Sequence, residues 1–545
     1  MAKDGLTFHQ IANSNKLYEA FKRSYGFEIP RSHRAIKEKV MSFANLLKKK
    51  DKKEIEEIKK NSKFSSTLDE WTSIANRRYL NVVLNTFEKQ WNLGLIKIAG
   101  KADAANILSL LKKKLEMFSI DFDDDMFCIM TDGARVMKRL GSDIYPIQQQ
   151  LCLAHGIQLA ILDILYKKKA NTLCNELDNE SNSELDIESN SELSFESDYQ
   201  SDEQNESNYS DLKNNENNFY ELIDEHEIID NYLPLISKVR SLVKKFRKQP
   251  KSSEKLQEYV KEEFNQELKL ILDVKTRWSS LYNMLNRFYK LKNHIHKACI
   301  DLNIEFLFSE NELNEIKNLI NVLEPIKSTV EHICKRDCNL LKTDAALECL
   351  LKFLKNIKSD ISEKMYNALK IRIAERRSLL FDALQFLKDG QLDKTNYLGN
   401  LSATKRQITE IIIQCLKKNS QNLVNNQSDL SSPTKILRVE EISTCSFSDA
   451  LNQAVSQSMN RSSNVQIDES IEIKIKREIS NLSKGDVRGP LLNQAYNILL
   501  SVRGTSIESE RAFSSAAFIC NKFRSRFNDK TLDAVCYLRA YFQSL

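Results

Sequence analysis

Residues 79–98 read YLNVVLNTFEKQWNLGLIKI, two runs rich in β-branched and aromatic residues separated by Glu88-Lys89-Gln90. Such runs joined by a short polar turn predict a β-hairpin. Upstream, residues 64–71 (FSSTLDEW) are a third β-compatible run, so three successive antiparallel strands are expected. Downstream, Ile107, Leu110, Leu111, Leu115 and Phe118 recur at helical spacing across residues 102–118. Residues 126–130 (MFCIM) are continuously apolar, as a buried strand requires. Residues 134–140 read as helix, 147–151 as a further strand, and 152–166 as a helix with Leu159, Leu162 and Leu165 on one side. The order β-β-β-α-β-α-β-α predicts a mixed α/β layer with one hairpin-built edge.

Outside this layer the chain reads as helix. Its 545 residues include only 12 Gly and 7 Pro, where average usage gives about 38 and 27. Few turn formers mean long helices, which excludes all-β, collagen-like and Pro-rich disordered chains. Helical periodicity fills residues 221–417 and 471–545, broken at Gly485, Gly489-Pro490 and Gly504. Residues 1–63 also read as helices, with the Lys/Glu run 48–60 as an exposed helix or linker able to touch phosphate. Two stretches differ. Residues 172–218 are Ser, Asn, Glu and Asp in near-repeats (NESNSEL, IESNSEL) and cannot bury enough apolar surface to offset ordering entropy, so disorder is expected. Residues 419–470 form a second polar loop.

Charge divides the same way. Residues 172–218 hold fourteen Asp/Glu and one Lys, so the rest of a chain of net +6 carries +19. A basic body with a separable acidic segment suits a nucleic-acid partner; a solvated surface is the bland alternative. The densest basic stretch, residues 238–255 (KVRSLVKKFRKQPKSSEK), fits phosphate contact or nuclear import. No apolar run spans a membrane and the start of the chain lacks an apolar leader core, so neither membrane nor secretion is expected. Eleven scattered Cys fit a reducing compartment rather than a disulfide framework.

Three carboxylates stand out. Asp69 lies at the end of the first strand and Asp132 where the buried strand exits into a helix, the positions from which α/β sheets present ligand groups. Two carboxylates there can hold Mg²⁺, although Asp132 also fits a helix N-cap. Glu510 follows a predicted Thr505…Glu508 capping box and faces a packed side, where it needs a metal, a proton or a cation such as Arg524 or Arg526. Cys152 and His155 have half of a zinc-like spacing, and His332, Cys334 and Cys338 another part; neither completes a site, so no structural zinc is expected. Trp278, flanked by Lys275 and Arg277, fits stacking on an unpaired base or, alternatively, helix core packing.

Taken together, STLDEWTS, FCIMTDGARVMKRLG, QLCLAHGIQLAILDIL, KTRWSSLYNMLNR and TSIESERAFSSAAFICNKFRSRFNDKTLDAVCYLRAYF occur in the order of the motifs of the hAT superfamily of DNA transposases, which this chain resembles. The resemblance runs from about residue 64 to the end, apart from the polar loops. It implies a ribonuclease-H-like α/β core interrupted by a large all-α insertion. The core would comprise residues 64–168, the helical insertion 169–486, and the C-terminal core helices and dimerisation region 487–545, preceded by the helical segment 1–63.

By the same resemblance Asp69, Asp132 and Glu510 would form a DDE triad holding two Mg²⁺ or Mn²⁺ ions. Trp278, with Arg277 and Lys275, would stabilise an extruded base. Cys152 and His155 would sit beside the active site and orient DNA. Phe513, Phe518 and Leu538 would serve dimerisation. DNA and a second copy of the chain are the implied partners, with no small-molecule substrate, and the nucleus is the implied location. Family members begin with a BED zinc finger, whereas no Cys precedes Cys128, which points to a truncated copy. Leu500-Ser501-Val502-Arg503-Gly504-Thr505 also stands where relatives often carry a Pro-containing turn. The alternative to metal-dependent cleavage and strand transfer is therefore a catalytically inactive, transposase-derived nuclear protein that binds DNA and dimerises.

Overall fold

The computed structural model describes residues 7–73, 76–168, 226–228, 231–274, 278–417, 470–512 and 528–544. β1 (Phe64–Thr72), β2 (Arg78–Asn85) and β3 (Gln90–Lys97) form the antiparallel meander that their alternating, β-branched sequence predicts. β4 (Met126–Thr131) and β5 (Gln148–Leu151) add in parallel beside β1, giving the sheet order β3-β2-β1-β4-β5. Every residue of β4 is buried because both faces of the sheet are covered there. On one face Ile129 shares a core with Ile107, Leu111 and Leu115 of the helix Ala104–Glu116. On the other, Cys128 and Met130 meet the helix Leu153–Leu165.

That second face carries the remainder of the chain. The helix Leu153–Leu165 packs along Asp360–Ala374, and Arg372 holds Asp163 through a forked pair at 2.8 and 3.1 Å. Behind it stand Leu233–Lys248, Pro250–Phe264, Trp278–Asp301, Glu310–Ile333, Leu340–Asn356, Leu379–Asp389 and Lys405–Leu416, the long helices expected from the periodicity. The helices Ile471–Ser483 and Pro490–Leu500 return to the sheet, where Ser65 Oγ donates to the Ser501 carbonyl at 2.7 Å. One core cluster runs from Phe127 through these helices to Ile507, so sheet and helices fold around shared apolar surface.

Two features depart from the sequence reading. A short antiparallel pair, β6 (Tyr166–Lys168) with β7 (His226–Ile228), stands where the sequence predicts a helix end and helical periodicity. The helix His33–Ile58 is also no exposed linker over residues 48–60. Asp51 and Ile55 are buried, and the C-terminal helix Asp529–Ser544 lies against it. The segments predicted to be disordered or polar, 172–218 and 419–470, lie outside the described residues, apart from Ser470.

The contact between that C-terminal helix and the sheet edge is made by a bulge. Val82 pairs with Gly94 and Val83 with Asn92, leaving Leu93 extra. Gly94 has φ +98°, and a Cβ there would stand 2.1 Å from Asp533 Oδ1. Glycine therefore lets the carboxylate reach the Leu95 N–H, at 2.7 Å. Lys48 (2.6 Å) and Lys114 (3.3 Å) close on the same carboxylate.

Candidate functional site

The parallel pairing of β1 with β4 sets the site. Thr67 pairs with Met130, so Asp69 and Asp132 each follow two residues later on neighbouring strands of the same polarity. Asp132 is not the helix N-cap: that position is Ala134, which caps Arg135–Asp143 without a side-chain hydrogen bond. Instead Asp132 Oδ1 accepts the Ala134 N–H at 2.9 Å, an Asx turn that fixes the carboxylate's direction. Gly133 between them has φ +97°, a left-handed backbone that glycine takes without strain. Asp69 Oδ1 accepts the Glu70 N–H at 2.9 Å.

The third carboxylate arrives from far along the chain through a ladder of short contacts. Cys152 N–H donates to the Thr131 carbonyl (2.8 Å), Leu153 N–H to the Gly504 carbonyl (3.0 Å), and Ser506 N–H to Cys152 Sγ (3.3 Å). Ser509 Oγ donates to the Thr67 carbonyl at 3.4 Å, and Ser506 Oγ to Glu510 Oε1 at 3.1 Å. The stretch 504–510 is thereby held against the middle of β1 and, through Cys152 and Leu153, the end of β4. The helical residues 507–512 begin one position later than the predicted capping box places them, and Glu508 pairs with Arg511 and Arg336 instead. Arg524 and Arg526, the alternative partners for Glu510, lie outside the described residues.

Cys152 is fully buried; burial, helped by Glu510, pushes its thiol up to about 11. Cys334 lies close to it: burial first, then Glu510 and Cys152, raise its thiol well above the ordinary value. Both stay protonated near neutral pH and pack as small apolar groups. Cys152 of one Cys/His fragment and Cys334 of the other thus meet near Glu510. His155, one turn into the helix Leu153–Leu165, is pulled down by burial and by Arg376 while Asp132 opposes the shift. Among the described residues, no three His, Cys, Asp or Glu side chains form a ready metal-holding group.

Other expected site residues fall elsewhere. Trp278 opens the helix Trp278–Asp301 with 3% exposure, inside the helical core, so its ring packs here rather than standing out to meet a base. Lys275 and Arg277 lie outside the described residues, as do Phe513 and Phe518. Leu538 is buried within its own chain against Leu95, Tyr79 and the N-terminal helices, and so faces inward. Sequence reading missed Gln150 and Arg376. Gln150, the third Gln of β5, bonds the Arg376 carbonyl (2.9 Å) and accepts from Ser378 Oγ (2.6 Å), pinning the 376–378 turn to the sheet. The polar run Gln148-Gln149-Gln150 is its only sequence trace.

Gly156 supports the same junction. A Cβ there would come 2.7 Å from Arg376 Cδ and 3.3 Å from the Arg372 carbonyl. Gly156→Ala is expected to lower stability by about 1–3 kcal/mol through overpacking, read as a lower denaturant midpoint at unchanged slope.

Comparison with known proteins finds similarity in two stretches of the chain. Residues 221–322 match the model described as the ZBED1 RNase-like helical domain, and residues 480–542 the hAT family C-terminal dimerisation region. The chain is also 27% identical over 108 residues to the human (Homo sapiens) Zinc finger BED domain-containing protein 4. That similarity covers 20% of this chain and 9% of the human protein, so the chain spans under a tenth of that relative. Together with the five-stranded mixed sheet, these matches support a hAT-family, transposase-derived protein. The dimerisation region supports self-association. Among the described residues no helix is long and apolar enough to cross a membrane.

Proposed function

We propose that the chain is a DNA transposase-like protein whose strand-end carboxylates serve metal-dependent phosphodiester cleavage and strand transfer. The observation that carries this reading is the Thr67–Met130 register, which sets Asp69, late in β1, level with Asp132, just past the end of β4. The Ser509 contact to the Thr67 carbonyl, one residue before Glu510, supports a third carboxylate approaching from the same side. The strand order β3-β2-β1-β4-β5 supports reading the sheet as a ribonuclease-H-like core. Residues 64–168 and 487–545 would then be its two parts, and 169–486 the insertion.

Asp69 and Asp132 suit Mg²⁺ or Mn²⁺, hard cations content with one or two carboxylates when phosphate oxygens complete the shell. Such ions, when bound, activate the attacking hydroxyl and stabilise the leaving oxygen. The chain's own work is to orient. The Ala134 N–H fixes Asp132, the Glu70 N–H fixes Asp69, and Ser506 directs Glu510. The +19 outside the acidic stretch supplies attraction for DNA. DNA as partner and the nucleus as location belong to this reading. The test is nicking of supercoiled plasmid in Mn²⁺ by the purified chain, compared with Asp132→Asn. DNA binding and self-association without any nicking would support the non-enzymatic derivative instead.

A further inference from the structure

Arg376 is a poorly compensated cation beside the strand ends. Its side chain is 3% exposed, and among the described residues its ion pair is a single contact from Nη1 to Glu375 at 3.3 Å. Glu375 is shared, since Arg372 takes the same oxygen at 3.2 Å. The Arg376 Nε is buried with no hydrogen-bond partner among the described residues. Burial accordingly pulls this guanidinium below its ordinary value, despite the nearby Cys152 and Glu375. A buried guanidinium with an unmet donor is costly and calls for an anion.

The surroundings are shaped for it. Gln150 and Ser378 clamp the turn from the β5 side. Glycines stand on both sides of the guanidinium: Nη2 lies 3.6 Å from where a Gly133 Cβ would be, and Nε 3.1 Å from that of Gly156. Gly133 follows Asp132 directly, and Gly156 follows His155. The planar fork therefore lies against both the Asp132–Gly133 turn and the first turn of the helix Leu153–Leu165, which carries His155. A fork of this kind matches the paired oxygens of a phosphate.

We infer that Arg376 is a phosphate-binding residue of the strand-end site, taking one phosphodiester of the DNA on its guanidinium next to Asp132. The inference rests on the proposed DNA reading, and it brings in a residue of the helical insertion. The test is the affinity of the full chain for nicked duplex DNA, followed by fluorescence anisotropy across a salt series. In Arg376→Gln the slope of log K against log salt is expected to fall in magnitude by about 0.9, one phosphate contact. Affinity at fixed low salt should weaken roughly ten- to a hundredfold. Arg376→Lys should keep the slope, because the charge remains, yet bind more weakly, because the fork is gone.

A purely structural Arg would shift the melt and leave the slope alone. An unchanged slope in folded Arg376→Gln overturns the inference, and if that variant does not fold, wild-type affinity in Arg376→Lys overturns it. A wild-type chain with no affinity for DNA overturns it together with the DNA reading. Plasmid nicking that persists alongside an unchanged slope would sink Arg376 alone. Arg376-dependent binding without nicking would sink only the catalytic reading.

Discussion

Asp132→Asn is expected to remove Mn²⁺-dependent plasmid nicking by at least about 10²–10³-fold, with a melting temperature close to that of the wild type. The separation of effects follows from the local geometry. The fold uses Asp132 through Oδ1, which accepts the Ala134 N–H at 2.9 Å. Asparagine keeps that carbonyl oxygen and with it the Asx turn and the entry into Arg135–Asp143. What it removes is the charge, and a hard divalent cation depends on anionic oxygen. The chemistry proposed here consists mostly of positioning and charge stabilisation, so one lost carboxylate should be felt in rate far more than in folding. Nicking of equal rate in both proteins would show a contaminating nuclease and sink the assignment. Loss of nicking together with a collapsed melt would point to a structural role for Asp132.

The second large effect is expected at the opposite edge of the sheet. Asp533→Ala should destabilise the chain by about 3–5 kcal/mol, the usual consequence of removing one partner of a buried ion pair. Lys114, 5% exposed at its side chain, would be left without its counter-ion, and the Leu95 N–H without its acceptor. Burial alone would raise the Asp533 carboxyl, but Lys114, Lys48 and the Leu95 N–H outweigh it and hold it below its ordinary value. A depressed carboxyl stabilises the fold above its unfolded pKa of about 3.9. That contribution disappears as pH falls through the folded value. Wild type should therefore lose part of its margin over Asp533→Ala in acid, measured as converging denaturant midpoints. A constant gap down to the acid limit would assign the loss to packing rather than charge. Self-association should weaken with it, because the helix Asp529–Ser544 overlaps the hAT dimerisation region, residues 480–542.

Much of the sheet can be read from local pattern. β2 and β3 are β-branched runs around a polar turn, and β4 is a continuous apolar run; each signal resides within a few neighbouring residues. The positions of Asp69 and Asp132 follow from the same runs, since Asp69 lies late in one recognisable strand and Asp132 just past another. What stays hidden depends on contacts between distant segments. Nothing near Asp533 announces that its acceptor oxygens face Leu95, and Gly94 alone hints at a close approach. Arg376 sits in a polar turn with no periodicity, and its role appears only when β5 and the helix Asp360–Ala374 are side by side. Trp278 shows the converse. Its basic neighbours suggest base stacking and its helix suggests core packing, and the apolar face of Trp278–Asp301 draws the ring into the core. Leu538 behaves in the same way: an apolar residue in a dimerisation block suggests a face toward a second copy, but it fills the space between β3 and the N-terminal helices.

The pairing of Lys48 with Asp533 and of Asp51 with Tyr537 joins residues 485 and 486 positions apart. On the ribosome, at about 5–20 residues per second, the first partner waits roughly 25–100 s for the second. During that interval the apolar side of His33–Ile58 and the bulged edge of β3 lack their natural cover, an open strand edge of the kind that recruits other chains. Translation stopped short of residue 529 would leave both exposed for good. The helix Asp529–Ser544 is therefore the cover that both surfaces wait for.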